Sequence, residues 1–292
     1  MKIGMATASI CRQFPDERDE IRQYAEIGFE ALDYAGYYHD GADSVYLKEG
    51  WEDYARSLRE TADACGLVFS QVHAPMLGEP GVEPAEERKM EVTRRCFRLC
   101  EILGAPYLVI HPRLFRDAAG GRNAEKYLIY NVDYYRQFIP LAEKHGVVIG
   151  LENMFGWDAE TNMPCPTTFS TMEEILECLR RLDSDRFTVC LDTGHVNLLG
   201  ETPAAAARKL GSRLKLLHVH DNHGRYDEHM ACGYGTIDWE AFLAALREIG
   251  YRGVFSAEAG GMAVNCPPEA GYTAMKLTYE ISHALLKQHH ML

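Results

Sequence analysis

At 292 residues the chain can form one large α/β domain or two small ones, and 47% hydrophobic with 25% charged residues is an ordinary globular composition. The net charge of −13 argues against a polyanionic partner, because proteins that neutralise phosphates present a basic face. The nine cysteines are odd in number and include no C-x-x-C pair, so reduced thiols are expected. The N-terminal MKIGMATASICRQF lacks a signal-peptide core and no run reaches membrane-spanning length, so the expectation is a cytoplasmic protein without membrane association.

Short apolar runs alternate with longer amphipathic stretches along the whole chain. In order the runs are KIGMATAS (2–9), EALDYAG (30–36), LVFSQVHA (67–74), YLVIHP (107–112), VVIGLEN (147–153), FTVCLDT (187–193), LKLLHVHD (214–221) and GVFSAEA (253–259). Runs this short and this apolar suit parallel strands covered on their outer face. Helix signals lie between them. Pro84 opens EPAEERKMEVTRRCFRLCEILG, acidic first and basic later, with a glycine stop. Ser170 with Glu173 in STMEEILECLRRL predicts a capping box, and IDWEAFLAALREIG (237–250) ends on Gly250. No linker or composition shift divides the chain. Eight strand–helix units at this length predict a single (β/α)8 TIM barrel over 1–292. A doubly wound open sheet is the alternative, weakened by the absence of G-x-G-x-x-G after the first run.

In such a barrel the active site forms where strands end. The third run ends in His73, the fourth in His111 and the fifth in Glu152. The sixth ends in Asp192, with His195 three residues on. The seventh ends in His218, His220 and Asp221, with Asp227 and His229 in the loop, and the eighth in Glu258. A carboxylate in so apolar a setting needs a cation or several donors to stay ionised. Three of them on one rim, Glu152, Asp192 and Glu258, would repel unless a cation sat among them. Mixed carboxylate and imidazole ligands suit Mn²⁺, Mg²⁺, Co²⁺ or Zn²⁺, and the lack of thiolates disfavours a structural zinc.

The ordered set VHAP, IHPR, GLEN, LDTGH, HVHD, DEH with GYGTIDW, and AEAG resembles the xylose-isomerase-like TIM barrel superfamily. That superfamily holds the sugar phosphate isomerases and epimerases, inosose dehydratase and the apurinic/apyrimidinic endonucleases. Each motif is short, but one per strand in this order is specific. The resemblance implies that Glu152, Asp192, His218 and Glu258 hold one divalent metal, Mn²⁺ first among the candidates. His218 is preferred to His220 because the pattern on that strand is His-x-x-acid, met by His218 and Asp221. His220, two residues on, faces the same side of the pleat. The endonuclease branch binds further metals, and its additional ligands correspond to His73, His111, His195, Asp227 and His229.

By this resemblance the chain is a metal-dependent sugar isomerase or epimerase. The metal would chelate the carbonyl oxygen and neighbouring hydroxyl of a ketose or keto-polyol, and Glu152 and Glu258 would move the proton through an enediolate. His195 would hold a substrate oxygen, Met154, Phe155 and Trp157 would wall the pocket, and Asp158 would meet a substrate hydroxyl. Ketose epimerases place an arginine six residues after the ligand on the seventh strand. Here that position is Gly224, with Arg225 beside it. The same groups can also eliminate a leaving group β to a carbonyl, so a lyase or dehydratase, including the C-glycoside-cleaving type, is the near alternative. An abasic-site endonuclease is the second, disfavoured by the acidic charge. Arg113 and Arg116 in HPRLFR are the close basic pair available to a sugar phosphate or carboxylate. Barrels of this group often form dimers or tetramers, so the resemblance extends to a homo-oligomer.

Overall fold

A computed structural model describes residues 1–10, 13–35, 41–82, 85–115, 122–264 and 266–292. Pro84 and Arg116, singled out above, lie outside them. The strands in chain order are β1 (Ile3–Ala6), β2 (Ala31–Tyr34), β3 (Val68–His73), β4 (Tyr107–Ile110) and β5 (Val148–Glu152). They continue as β6 (Gly156–Asp158), β7 (Met163–Cys165), β8 (Phe187–Asp192), β9 (Leu214–His218) and β10 (Phe255–Ala257). Eight of them pair in parallel in the order β10-β1-β2-β3-β4-β5-β8-β9. The ring is all but closed by a bridge between Val219 and Ala257. There the Val219 amide donates to Ser256 O at 2.8 Å and the Glu258 amide to Val219 O at 2.9 Å. The eight apolar runs are therefore the eight staves of one (β/α)8 barrel.

The helices are α1 (Glu17–Ile27), α2 (Trp51–Ala64), α3 (Glu86–Leu103), α4 (Ala124–Arg136), α5 (Ile139–His145) and α6 (Met172–Leu182). The second half adds α7 (Thr193–Leu198), α8 (Pro203–Leu210), α9 (Trp239–Glu248), α10 (Gly261–Val264) and α11 (Gly271–Gln288). In α6 the buried Met172, Ile175, Cys178, Leu179 and Leu182 recur at three- and four-residue spacing and face the sheet. Its cap lies one residue later than the sequence predicts: Thr171 Oγ1 accepts from the Glu174 amide. Ser170 is taken by the neighbouring loop, donating to Met154 O at 3.0 Å and accepting from the Thr167 amide at 2.6 Å.

Side chains alternate across each strand, and that parity builds the barrel interior in layers. Two residues below the strand-end ligand positions lie Val109, Gly150, Cys190 and Leu216. Val109, Cys190 and Leu216 form an apolar cluster separate from the main core. Gly150 leaves the room this layer needs, because a Cβ there would stand 2.5 Å from Leu216 Cδ1. The polar rim thus rests on a dry floor. The eight described cysteines are all free. Among the described residues no helix is long and apolar enough to cross a membrane.

Candidate metal centre and active site

The strand ends deliver their polar groups to one place. Glu152 Oε1 lies 3.1 Å from His218 Nδ1, and Glu258 Oε2 approaches the same nitrogen to 3.4 Å. Asp192 joins them: one ligand atom from each of Glu152, Asp192 and His218 falls within 4.8 Å of the other two. Asp192 also caps α7, accepting from the His195 amide at 2.7 Å. Glu152 Oε2 and both ring nitrogens of His218 are buried without a hydrogen-bond partner. Orphaned acceptors on a shared centre, hard oxygens with one imidazole, suit a divalent cation and fit this ligand set.

Two further groups flank that centre and share its carboxylates. On one side His111 Nε2 lies 3.1 Å and His73 Nε2 3.5 Å from Glu152 Oε2. On the other side His220 Nε2 is 3.0 Å from Asp192 Oδ1. Beyond it Asp227 Oδ2 lies 3.0 Å from His229 Nε2 and 3.6 Å from His195 Nε2. Glycine at 194 makes this packing possible, since a Cβ there would come within 1.9 Å of His220 Cε1. The four proposed ligands and the five additional residues, nine in all, therefore converge, and His220 joins them as a tenth.

Three residues that the sequence leaves without a role hold the ligands in place. Asp33, on β2, sets Oδ2 3.1 Å from His218 Nε2, on the ring edge facing away from Glu152. Gln71 Nε2 donates to the same oxygen at 2.7 Å. Such an outer carboxylate fixes the tautomer and orientation of a metal-ligating histidine. Asn153 accepts from the Asp192 amide at 2.8 Å and donates to Asp192 O at 3.0 Å. Its own carbonyl receives His195 Nδ1 at 2.8 Å, which turns Nε2 toward Asp227. An acid inside an apolar run, the signal that marks Glu152, also marks Asp33 in EALDYAG.

The electrostatics follow from this crowding. Burial opposes the charge on Glu152, but His218 and His111 beside it hold its carboxyl well below the usual range. Glu258 moves the other way, raised by burial and by repulsion from Asp192 and Glu152 that His218 and His229 do not cancel. Burial disfavours the charged form of His195, yet Asp192, Asp227 and Glu152 lift it well above an ordinary imidazole. His229 likewise stands at about 10 against burial, through Asp227 first. His73 is pushed well down by burial, with His111 adding to the effect. Carboxyls driven apart in this way are the usual substrate for dividing acid and base roles.

A cavity of about 670 Å³ opens above the cluster, lined by Glu152, Glu258, His73, His111, His195, Asp227 and His229 among others. Met154 and Phe155 line it as expected. Four expected substrate contacts do not reach it. Arg113 is buried elsewhere, donating to Gly78 O at 2.8 Å and pairing with Glu86 at 2.6 Å. Arg225 lies over the Tyr226 ring at 5.3 Å. Trp157 is half exposed on the β6–β7 hairpin and stacks on Tyr226 at 5.7 Å. Asp158 turns into the same hairpin, accepting from Thr161 Oγ1 at 2.7 Å and the Glu160 amide at 2.9 Å. Asp221, the acid of the His-x-x-acid pattern, organises the loop instead, accepting from Gly233 N, Ile237 N and Trp239 Nε1. His223, exposed to solvent, pairs with Glu228 at 2.8 Å.

The xylose isomerase-like TIM barrel family matches this chain over residues 21–279. The chain belongs to that family. It is 34% identical over 223 residues to an uncharacterized protein of Methanocaldococcus jannaschii, covering 73% of this chain and 70% of that one. It is 29% identical over 265 residues to the D-psicose 3-epimerase of Enterocloster bolteae, covering 87% and 80%. A solved D-tagatose 3-epimerase-like protein superposes over 99% of both chains with a TM-score of 0.74 at 25% identity.

Proposed function

We propose that the protein is a divalent-metal-dependent isomerase or epimerase of a ketose or related keto-polyol. The observation that carries this reading is the approach of Glu152 Oε1 and Glu258 Oε2 to a single ring nitrogen of His218, at the floor of the cavity. Glu152, Asp192, His218 and Glu258 would hold the metal, with Mn²⁺ expected. When bound, the metal supplies Lewis acidity to a carbonyl oxygen and its neighbouring hydroxyl. Glu152 takes the proton from the carbon between them, and Glu258, reaching the site from another strand, returns one. His195 Nε2, turned inward by the Asn153 carbonyl, holds a substrate oxygen. Met154 and Phe155 keep bulk water from the reacting carbon. The epimerases among the chain's relatives support this chemistry.

The flanking groups on His73, His111 and Glu152, and on His195, Asp227 and His229, favour a second reading, phosphodiester cleavage by a metal cluster. Against it stand the net charge of −13 and a cavity with no lysine or arginine among its described lining residues. Solvent deuterium uptake into a panel of ketoses and inososes, run beside nicking of an abasic duplex, separates the two. Uptake without nicking is expected. Nicking without uptake would replace this reading with the second, and eliminated products would point to the lyase.

A further inference from the structure

We infer that Glu20, a buried acid of α1, is a positioning residue: it holds Ala8, Ser9 and Ile10 in place beside the metal centre and through them governs how tightly substrate binds. This role rests on the proton-transfer reading above. Glu20 itself is not among the described residues lining the cavity. The buried positions of α1 are Glu20, Ile21, Tyr24 and Ile27. A helix that only packed against the sheet would carry an apolar side chain at each. An acid there is costly to bury, and burial raises its carboxyl to about 7.

What Glu20 holds is the segment that follows β1. Glu20 Oε1 accepts from the Ile10 amide at 3.2 Å and from Tyr24 OH at 2.6 Å. The Ile10 and Ala8 amides both favour its ionised form. Ala8, two residues before Ile10, is a non-glycine residue in the left-handed region, with φ of 66°. Such a conformation persists only where contacts around it enforce it. Ser9, between the two, donates from Oγ to Ala6 O at 2.9 Å. Ala8, Ser9 and Ile10 all line the cavity over Glu152 and Glu258. The same segment packs closely against two glycines of that cavity. A Cβ at Gly271 would stand 2.9 Å from Ile10 Cγ2, and one at Gly260 would stand 3.4 Å from Ser9 Oγ. Freed from the carboxyl, the segment would shift relative to the space that substrate occupies. The metal ligands would stay put, because β5, β8, β9 and β10 place them independently of α1.

Deuterium exchange into D-fructose, D-psicose and D-tagatose, by the full chain at measured full Mn²⁺ occupancy, tests this role. Glu20→Ala is expected to raise KM by at least about tenfold, with kcat and the Mn²⁺ Kd within a factor of about three of wild type, the signature of lost uniform binding. Tyr24→Phe, which keeps the buried ring and removes one tie to Glu20, should raise KM by at least about threefold. Glu20→Gln keeps an oxygen for the Ile10 amide and should hold KM within a factor of about three of wild type. A merely structural role would lower Tm and the active fraction without moving KM. Circular dichroism identifies the variants that fold. Unchanged KM in whichever of Glu20→Ala and Tyr24→Phe folds, or weakened Mn²⁺ binding in its place, overturns the inference, while exchange by the wild type leaves the proton-transfer reading standing. Absence of exchange by the wild type with all three sugars removes that reading, and the inference with it.

Discussion

Replacing Asp33 probes whether the ring of ligands depends on a residue that touches no substrate. Asp33, Gln71 and His218 are each almost fully buried, and Asp33 Oδ2 faces both the Gln71 amide and His218 Nε2. Its other oxygen, Oδ1, has no hydrogen-bond partner. Asp33→Asn can keep one oxygen toward the Gln71 amide and His218 Nε2 while removing the charge. Asp33→Ala loses the acceptor as well and leaves the ring free to rotate or change tautomer. Loss of an outer partner of a metal-bound histidine lowers metal affinity by about 10- to 100-fold, or roughly 1.4–2.7 kcal/mol. The alanine variant should fall near the top of that range and the asparagine variant near the bottom. Calorimetric titration of Mn²⁺ into chelator-stripped protein measures this, with circular dichroism confirming the fold. Unchanged affinity in Asp33→Ala would refute the role of Asp33 in orienting His218.

Chelation followed by thermal unfolding tests the centre as a whole: Mn²⁺ at about 100 times its Kd should restore about 2.7 kcal/mol of stability, and an unchanged Tm would count against a resident metal. Glu20 offers a pH test away from the metal. It is buried, accepts from Tyr24 OH at 2.6 Å and from the Ile10 amide at 3.2 Å, and burial raises it to about 7. Because the folded value lies above the unfolded one, its contribution is fullest below about pH 4.5 and is lost as pH rises through 7. The loss is on the order of 3 kcal/mol, so Glu20→Gln should flatten the pH dependence of the urea midpoint between pH 5 and 8; parallel curves would contradict this. Arg113→Ala, which breaks the buried contacts to Gly78 and Glu86, should cost about 2–3 kcal/mol in urea unfolding yet leave Mn²⁺ affinity unchanged, and weakened metal binding at intact stability would reverse that assignment.

The rim was legible because strand parity and burial leave a strong trace: an acid or histidine at the end of an apolar run is costly without a partner. That trace is local to each strand, and the ring closure brings the traces together. Asp33 carries the same trace but sits mid-run, so its partner on β9 becomes visible only once β2 and β9 face each other across the barrel. Arg113, Arg225, Trp157 and Asp158 lie away from the cavity for a different reason. Loop side chains take whichever partner is nearest, and Glu86, Tyr226 and the turn at Thr161 are nearer than the cavity. The β6–β7 hairpin that carries two of them has no alternating apolar pattern to announce it. Helix ends shift by a residue for a similar cause, as Ser170 yields the α6 cap to Thr171 because the loop after β5 claims its hydroxyl.

In the proposed reaction Glu152 and Glu258 move a proton at a metal held between them. The most direct test is the rate of deuterium exchange into a ketose by the wild type, Glu152→Gln and Glu258→Gln, each at measured full Mn²⁺ occupancy. Each substitution should slow exchange by about 10²- to 10⁴-fold with metal still bound. Exchange within a factor of about three of wild type in either metal-loaded variant would contradict it.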